Sequence, residues 1–305
     1  MDSAKRCALI TGATGFIGSH LARKLVEGKW TVHVLARPNS SLALIESLRD
    51  RIIIEIHDGT IESLARIVET ARPEIVFHLA SLFLSQHRGT DILPLVQANV
   101  GFGTQLLEAM AQNNCGRFIN TGTAWQHYEN RDYSPVNLYA ATKQAFEAIV
   151  QYYVEAHGLQ AVTLELCDTY GPGDPRKKLL KLLREASRSG EFLPMSPGEQ
   201  EIDLVHVDDV VEAYMLAAEQ VLSEATSGHR RYTVSSGSPL KLRELVRKYE
   251  QVTGRQLRIE FGARPYRDRE VMRPWERGQR IPGWEPKTEL ADGIRRFDAF
   301  AGERA

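Results

Sequence analysis

The sequence predicts an α/β protein: a doubly wound parallel sheet covered by helices on both faces, with a smaller C-terminal lobe. Three observations carry this. Short β-branched runs alternate with helical stretches for more than half the chain, the pattern of repeated β-α-β units. The first of these runs ends in a glycine-rich turn, Thr11-Gly12-Ala13-Thr14-Gly15-Phe16-Ile17-Gly18, that opens into a helix. The alternation breaks at Gly171-Pro172-Gly173-Asp174-Pro175, a dense turn signal.

Strands are expected over residues 6–11, 31–36, 51–57, 74–80, 117–121 and 160–167, each a short apolar run. A helix is expected over 17–27, where Ile17, Leu21 and Leu25 recur at helical spacing, and others over 61–70, 92–112 and 138–157. Crossovers between parallel strands are right-handed. Beyond the break come a basic helix over 177–188, a loop at 194–198, a strand over 201–207 and a helix over 208–220. A strand over 232–235, a helix over 240–254 and Pro-, Arg- and Trp-rich loops over 264–286 follow. The expected domains are residues 1–171 with about 199–236, and about 172–198 with 237–305.

Composition narrows the function. The 305 residues carry 38 basic and 39 acidic side chains, a net charge of −1. Such a chain lacks the positive field of a non-specific nucleic-acid binder. No apolar run approaches the roughly 20 residues that span a bilayer. Residues 1–7 contain no apolar signal core, so a cytoplasmic setting is expected. The 3 cysteines, Cys7, Cys115 and Cys167, are scattered, which argues against a disulfide framework and against a metal site.

The glycine turn carries the first chemistry. Glycines there let the chain curve tightly and approach a pyrophosphate, which the N–H groups of the following helix attract. The expectation is a Rossmann-type dinucleotide site formed by Gly12, Thr14, Gly15, Phe16, Ile17 and Gly18. After the second strand, NAD-binding chains place an acid for the ribose hydroxyls. Here Arg37 stands there with Asn39, Ser40 and Ser41, and no carboxylate appears before Glu46. A guanidinium and hydroxyls suit a 2′-phosphate, so NADP(H) is expected over NAD(H). Asp58, before Gly59, is a candidate for the adenine amino group or an ordinary turn aspartate.

Tyr139 and Lys143 lie at i and i+4, on one face of the helix over 138–157. A nearby ammonium favours a phenolate, so Tyr139 is expected to have a lowered pKa and to act as an acid or base. Thr123, after the fifth strand, supplies a hydroxyl toward the same carbonyl oxygen.

Together these residues resemble the extended short-chain dehydrogenase/reductases that act on nucleotide sugars. The likeness rests on Thr11–Gly18, Phe77-His78-Leu79-Ala80-Ser81, Asn99, Thr121-Gly122-Thr123 and Tyr139-Ala140-Ala141-Thr142-Lys143. It extends through Tyr170-Gly171-Pro172-Gly173-Asp174-Pro175 and Val205-His206-Val207-Asp208-Asp209-Val210. Within that family it is most like the CDP-abequose and CDP-paratose synthase type of 4-ketoreductase. The resemblance implies that Leu79, Ala80, Ser81, Asn99, Thr121 and Cys167 join Tyr139 and Lys143 at the cofactor. It implies a nucleoside-diphosphate sugar substrate, with Phe83, Trp125, Gln126 and His127 shaping the sugar pocket. Asp168 stands where many relatives have a phosphate-facing Asn; a carboxylate repels a diphosphate, so Asp168 is expected to bind a sugar hydroxyl or lie on the opposite wall. Arg267 is the candidate diphosphate ligand, with Lys178, Lys177 and Arg176 as alternatives.

Departures sharpen the reaction. Dehydrating members carry Asp-Glu after the catalytic Thr; here Ala124-Trp125 follows Thr123. Many 4-epimerases keep an arginine where Ile202 stands. The expected activity is NADPH-dependent reduction of a nucleoside-diphosphate 4-keto-6-deoxy sugar, with Tyr139 as general acid. The alternatives are a 4-epimerase with a tightly held cofactor and a non-catalytic dinucleotide sensor. Two helices carry apolar faces (Leu95, Ala98, Phe102, Leu106 and Met110; Ala145, Ile149, Tyr152 and Tyr153), which either pack on the sheet or, as the resemblance implies, pair in a homodimeric four-helix bundle.

Overall fold

The computed structural model describes residues 6–223 and 228–300; the N-terminal expectation, which draws on residues 1–5, lies outside the described residues. The chain begins with β1 (Cys7–Thr11), α1 (Phe16–Glu27), β2 (Thr31–Ala36), β3 (Ile53–Ile56), α2 (Ile61–Ala71) and β4 (Ile75–His78). It continues with α3 (Ile92–Val96), α4 (Phe102–Gln112), β5 (Arg117–Thr123), α5 (Leu138–His157), β6 (Gln160–Leu166) and β7 (Asp168–Tyr170). The remainder comprises α6 (Leu179–Ser189), β8 (Leu193–Met195), β9 (Glu201–Ile202), β10 (Leu204–His206) and α7 (Val207–Leu222). After these come β11 (His229–Val234), β12 (Leu240–Lys241), α8 (Leu242–Thr253), β13 (Ile259–Phe261) and α9 (Leu290–Ala299).

Among the described residues the main sheet has 7 strands in the order β11-β6-β5-β4-β1-β2-β3, every pair parallel. The order reverses between β1 and β4, which opens a crevice outside the strands' C-terminal ends. Alternation along β1 sends Ala8 and Ile10 to one face and Leu9 to the other. The first face packs Leu21 and Leu25 of α1 and Val210 and Ala217 of α7. The second packs Leu64 of α2, Leu106 of α4 and Phe146 of α5. A third apolar cluster, with Leu183, Leu245, Tyr249 and Phe297, joins α6, α8 and α9. Among the described residues no helix is long and apolar enough to cross a membrane.

Several elements differ from expectation. The helix over 92–112 is interrupted by a π-helical turn at Gln97–Gly101, which aims buried Asn99 at the loop after β4. The strand over 201–207 splits at Asp203, whose carboxylate accepts from the Ser235 hydroxyl and the Ser236 N–H. The chain leaves the main sheet at Cys167, so β7 pairs with β10 instead. Helix α9 falls in a stretch assigned no element from the sequence.

Candidate active site

The glycine turn sits at the crevice between β1 and α1. Gly12 has φ +75°, and a Cβ there would stand 2.5 Å from the backbone nitrogen of Ala80. A Cβ on Gly18 would lie 2.2 Å from the Gly12 carbonyl oxygen, so glycine is what lets the helix close on the turn. Gly15 is different: a Cβ there would meet only the Gly12 oxygen, at 3.3 Å. It occupies the N-cap of α1, and no side chain caps that end. The open N–H groups and the helix dipole therefore face the crevice.

A cleft of about 230 Å³ runs from this turn to the ends of β5 and β6. Gly12, Gly15, Phe16, Ile17, Gly18, Leu79 and Ser81 form one side of it. Thr121, Thr123, Tyr139, Lys143 and Cys167 form the other. Helix α5 delivers Tyr139 and Lys143. Its N-cap, Asn137, accepts from Ala140 N–H at 2.9 Å and donates to the carbonyls of Leu84 (3.3 Å) and Ser85 (3.0 Å). The turn bearing Tyr139 is thus tied to the loop after β4. The Tyr139 ring meets Phe83 edge-on at 5.0 Å, and the Ser81 hydroxyl, which donates to Asn99 Oδ1 at 3.2 Å, acts to lower the phenol. Thr123 Oγ1 accepts from Trp125 N–H at 3.3 Å, which leaves its own proton to donate.

The electrostatics correct one expectation. Tyr139 is not lowered; burial pushes its phenol up to about 12, against the pull of Ser81 and Arg176. Burial also pushes Lys143 down to about 8, while Glu147 acts to hold it up. Desolvation disfavours both charged forms and is the largest influence on each.

A second cavity of about 530 Å³ adjoins the first along Phe83, Trp125, Asp168, Arg176 and Lys178. The carboxylate expected to repel a diphosphate is paired: Lys178 Nζ donates to Asp168 Oδ1 at 2.9 Å. The Arg267 guanidinium stands 5.4 Å from the Trp125 ring and forms two bonds to Glu270, at 3.0 and 2.7 Å. Arg176 lies 4.8 Å from the Phe16 ring and is gripped by Asp174 through two bonds of 2.7 Å.

Other expected residues lie off the cleft. Gln126 is fully buried, its carboxamide bonded to Thr123 N–H, Gln144 and Glu147, so it underlies the pocket instead of lining it. His127 is likewise buried and stacks on Trp275 at 4.1 Å. Asn99 spends its amide on Leu82 and on Thr142 Oγ1, bracing the loop after β4. Arg37, Asn39, Ser40, Asp58 and Gly59 follow β2 and β3, outside the cleft walls. Thr60 takes the Asp58 carboxylate through its N–H at 2.9 Å and its hydroxyl at 2.7 Å. Of the residues expected at a helix-bundle interface, Leu95, Leu106, Met110 and Tyr153 are buried within this chain, whereas Tyr152 is exposed. Sequence reasoning missed the Ser81–Asn99 bond, which no spacing signals, and the cavity wall to which Trp275 contributes.

A doubly wound sheet with this crevice, served by a Tyr-x-x-x-Lys helix, is the architecture of the extended short-chain dehydrogenase/reductases, as the sequence motifs implied. The chain belongs to the NAD dependent epimerase/dehydratase family, whose sequence model matches residues 8–232. It is 27% identical over 293 residues to a CDP-abequose synthase of Salmonella muenchen, covering 95% of this chain and 96% of the relative. It is 27% identical to a UDP-glucose 4-epimerase of Mycolicibacterium smegmatis, covering 96% and 97%. In fold it matches the UDP-glucose 4-epimerase of Thermotoga maritima, solved with UDP-glucose: TM-score 0.84, 24% identity, 96% and 97% covered.

Proposed function

We propose that the protein is an NADPH-dependent 4-ketoreductase of a nucleoside-diphosphate 4-keto-6-deoxy sugar. One observation supports the reading: Thr123, Tyr139 and Lys143 all line the glycine-turn cleft, and the positions after Thr123 hold Ala124 and Trp125. Dehydration needs an acid–base pair there, whereas reduction does not. The likeness to CDP-abequose synthase over most of both chains supports the same reaction class.

The turn suits a dinucleotide. Gly15 leaves space beside the uncapped N-terminus of α1, where a pyrophosphate gains N–H donors. Arg37, Asn39 and Ser40 follow β2 with no acid among them, which supports a 2′-phosphate and hence NADP(H). In this reading residues 1–171 with about 199–236 hold the cofactor and the remainder holds the sugar.

A bound reduced nicotinamide supplies the hydride. Every other part of the step falls to side chains. The Tyr139 hydroxyl gives its proton to the keto oxygen; a phenol held near 12 carries that proton throughout the neutral range. Thr123 donates a hydrogen bond to the same oxygen as charge develops there. The phenolate left behind is stabilised by the Lys143 ammonium and the Ser81 hydroxyl. In the adjoining cavity Lys178, Arg176 and Arg267 supply positive charge for the diphosphate, with Trp125 and Phe83 as apolar walls.

A 4-epimerase is the second reading, supported by the Mycolicibacterium relative. One experiment separates the two. The reductase consumes NADPH and yields one reduced sugar, whereas the epimerase interconverts two sugars without added cofactor. Pairing of two copies through α4 and α5 is part of the proposal, and light scattering tests it by giving twice the chain mass.

A further inference from the structure

Beneath the catalytic wall lies a buried acid that the reaction above does not use. Glu147 follows Lys143 by one turn of α5 and is 3% exposed. Its Oε1 accepts from Gln126 Nε2 at 2.8 Å. Gln126 Oε1 in turn accepts from the N–H of Thr123 at 2.9 Å. One carboxylate is therefore linked to both groups that flank Tyr139: Lys143 by charge, and Thr123 through a single amide.

The surroundings are built around that acid. Gly122 leaves room for it, because a Cβ there would lie 3.2 Å from Glu147 Oε1 and 3.1 Å from Gln126 Oε1. From β11, Arg231 Nη1 stands 3.8 Å from Glu147 Oε2. From β6, Glu165 opposes it, and His127 Nε2 lies 3.2 Å from Glu165 Oε1. Glu147 Oε2 is buried without a hydrogen-bond partner.

We propose that Glu147 is a positioning residue for proton transfer: its carboxylate keeps Lys143 an ammonium and, through Gln126, fixes the strand end that presents Thr123. The inference rests on the reading that Tyr139 and Lys143 carry the proton step. Packing alone does not require a charge here, since a glutamine fills the same volume and offers Gln126 the same acceptor. A buried carboxylate is costly unless cations lie near it; Arg231 stands 3.8 Å away, and Lys143 lies one turn earlier on α5. Burial, then Glu165, pushes the Glu147 carboxyl up to about 7 against Gln126, Arg231 and His127, and Lys143 stands at about 8. Both groups thus change charge near neutrality, and the Glu147 charge acts to hold the Lys143 proton.

Two measurements test this. The first is an NMR titration of carboxyl-labelled glutamate, in which the Glu147 signal is assigned by its loss in Glu147→Gln. Removing the cation in Lys143→Met is expected to raise the Glu147 midpoint by about one pH unit. The second is the pH profile of keto-sugar reduction. Glu147→Gln is expected to shift the alkaline limb of kcat down by about one pH unit, with KM for cofactor and sugar within about twofold of wild type. A Glu147 midpoint indifferent to Lys143→Met, or superimposable pH profiles, overturns the proposal. A wild type that turns over no keto sugar refutes the reaction assigned above, and the midpoint alone then upholds or overturns the Glu147–Lys143 coupling.

Discussion

Lys178 Nζ lies 2.9 Å from Asp168 Oδ1 on the wall shared by the two cavities. Burial alone would raise the Asp168 carboxyl, but Lys178, Arg176 and Arg267 outweigh it and hold it below its ordinary value. The carboxylate therefore occupies positive charge that a diphosphate would use. Lys178→Met is expected to weaken nucleoside diphosphate binding about tenfold, and Asp168→Asn to tighten it about threefold, both read by titration calorimetry. Equal affinities in both variants would remove this pair from the diphosphate subsite.

Gly12 is constrained twice, by φ +75° and by the 2.5 Å approach to Ala80 N. The obstacle is backbone, which cannot swing aside. Gly12→Ala is expected to cost about 2–4 kcal/mol in denaturant unfolding and to abolish dinucleotide binding. Gly59 also has positive φ, but a Cβ at that position would meet nothing within 4 Å, so Gly59→Ala carries the conformational strain alone, about 1 kcal/mol.

In the proposed function the end of β2 sets cofactor choice. Arg37→Glu is expected to reduce kcat/KM for NADPH by about 10- to 100-fold and to favour NADH, because a carboxylate repels a 2′-phosphate and accepts from ribose hydroxyls. Steady-state rates with both cofactors decide it; an unchanged NADPH preference would move the determinant elsewhere.

How far the sequence spoke depends on the range of the interaction. Helix α5 runs over the expected residues because Asn137 caps it and Gly158 ends it, both local signals. Strand β2 likewise matches, as a buried run between two turns. The clustering of Thr123, Tyr139 and Lys143 was legible because a doubly wound topology brings those strand and helix ends to one crevice. Gln126 misled for the opposite reason: its neighbour Trp125 faces the cavity, but a one-residue step turns its carboxamide down onto Glu147. The π-helical turn around Asn99 and the antiparallel pairing of β12 with β9 depend on distant partners, which no local pattern encodes.

The buried acid also predicts how stability varies with pH. Glu147 titrates at about 7 in the folded chain, above its ordinary 4.5, so the folded state holds this proton more tightly than the unfolded one. Its contribution is fully present below about pH 4.5 and is lost as pH rises through 7. Glu147→Gln removes that loss. Its gain in unfolding free energy over wild type is expected to grow by roughly 1–3 kcal/mol between acid and mildly alkaline pH, measured by urea denaturation. A gain independent of pH would mean that Glu147 is already ionised at low pH.

In the proposed reaction Tyr139 protonates a keto oxygen while hydride reaches the carbon that bears it. The most direct measurement supplies the enzyme with NADPH deuterated on the nicotinamide ring and a nucleoside-diphosphate 4-keto-6-deoxy sugar. Deuterium is predicted at the former keto carbon, one for each cofactor oxidised. In Tyr139→Phe the rate is predicted to fall about 10²- to 10⁴-fold with cofactor affinity retained. Sugars interconverted without loss of label from the cofactor, or a Tyr139→Phe variant as fast as wild type, would contradict it.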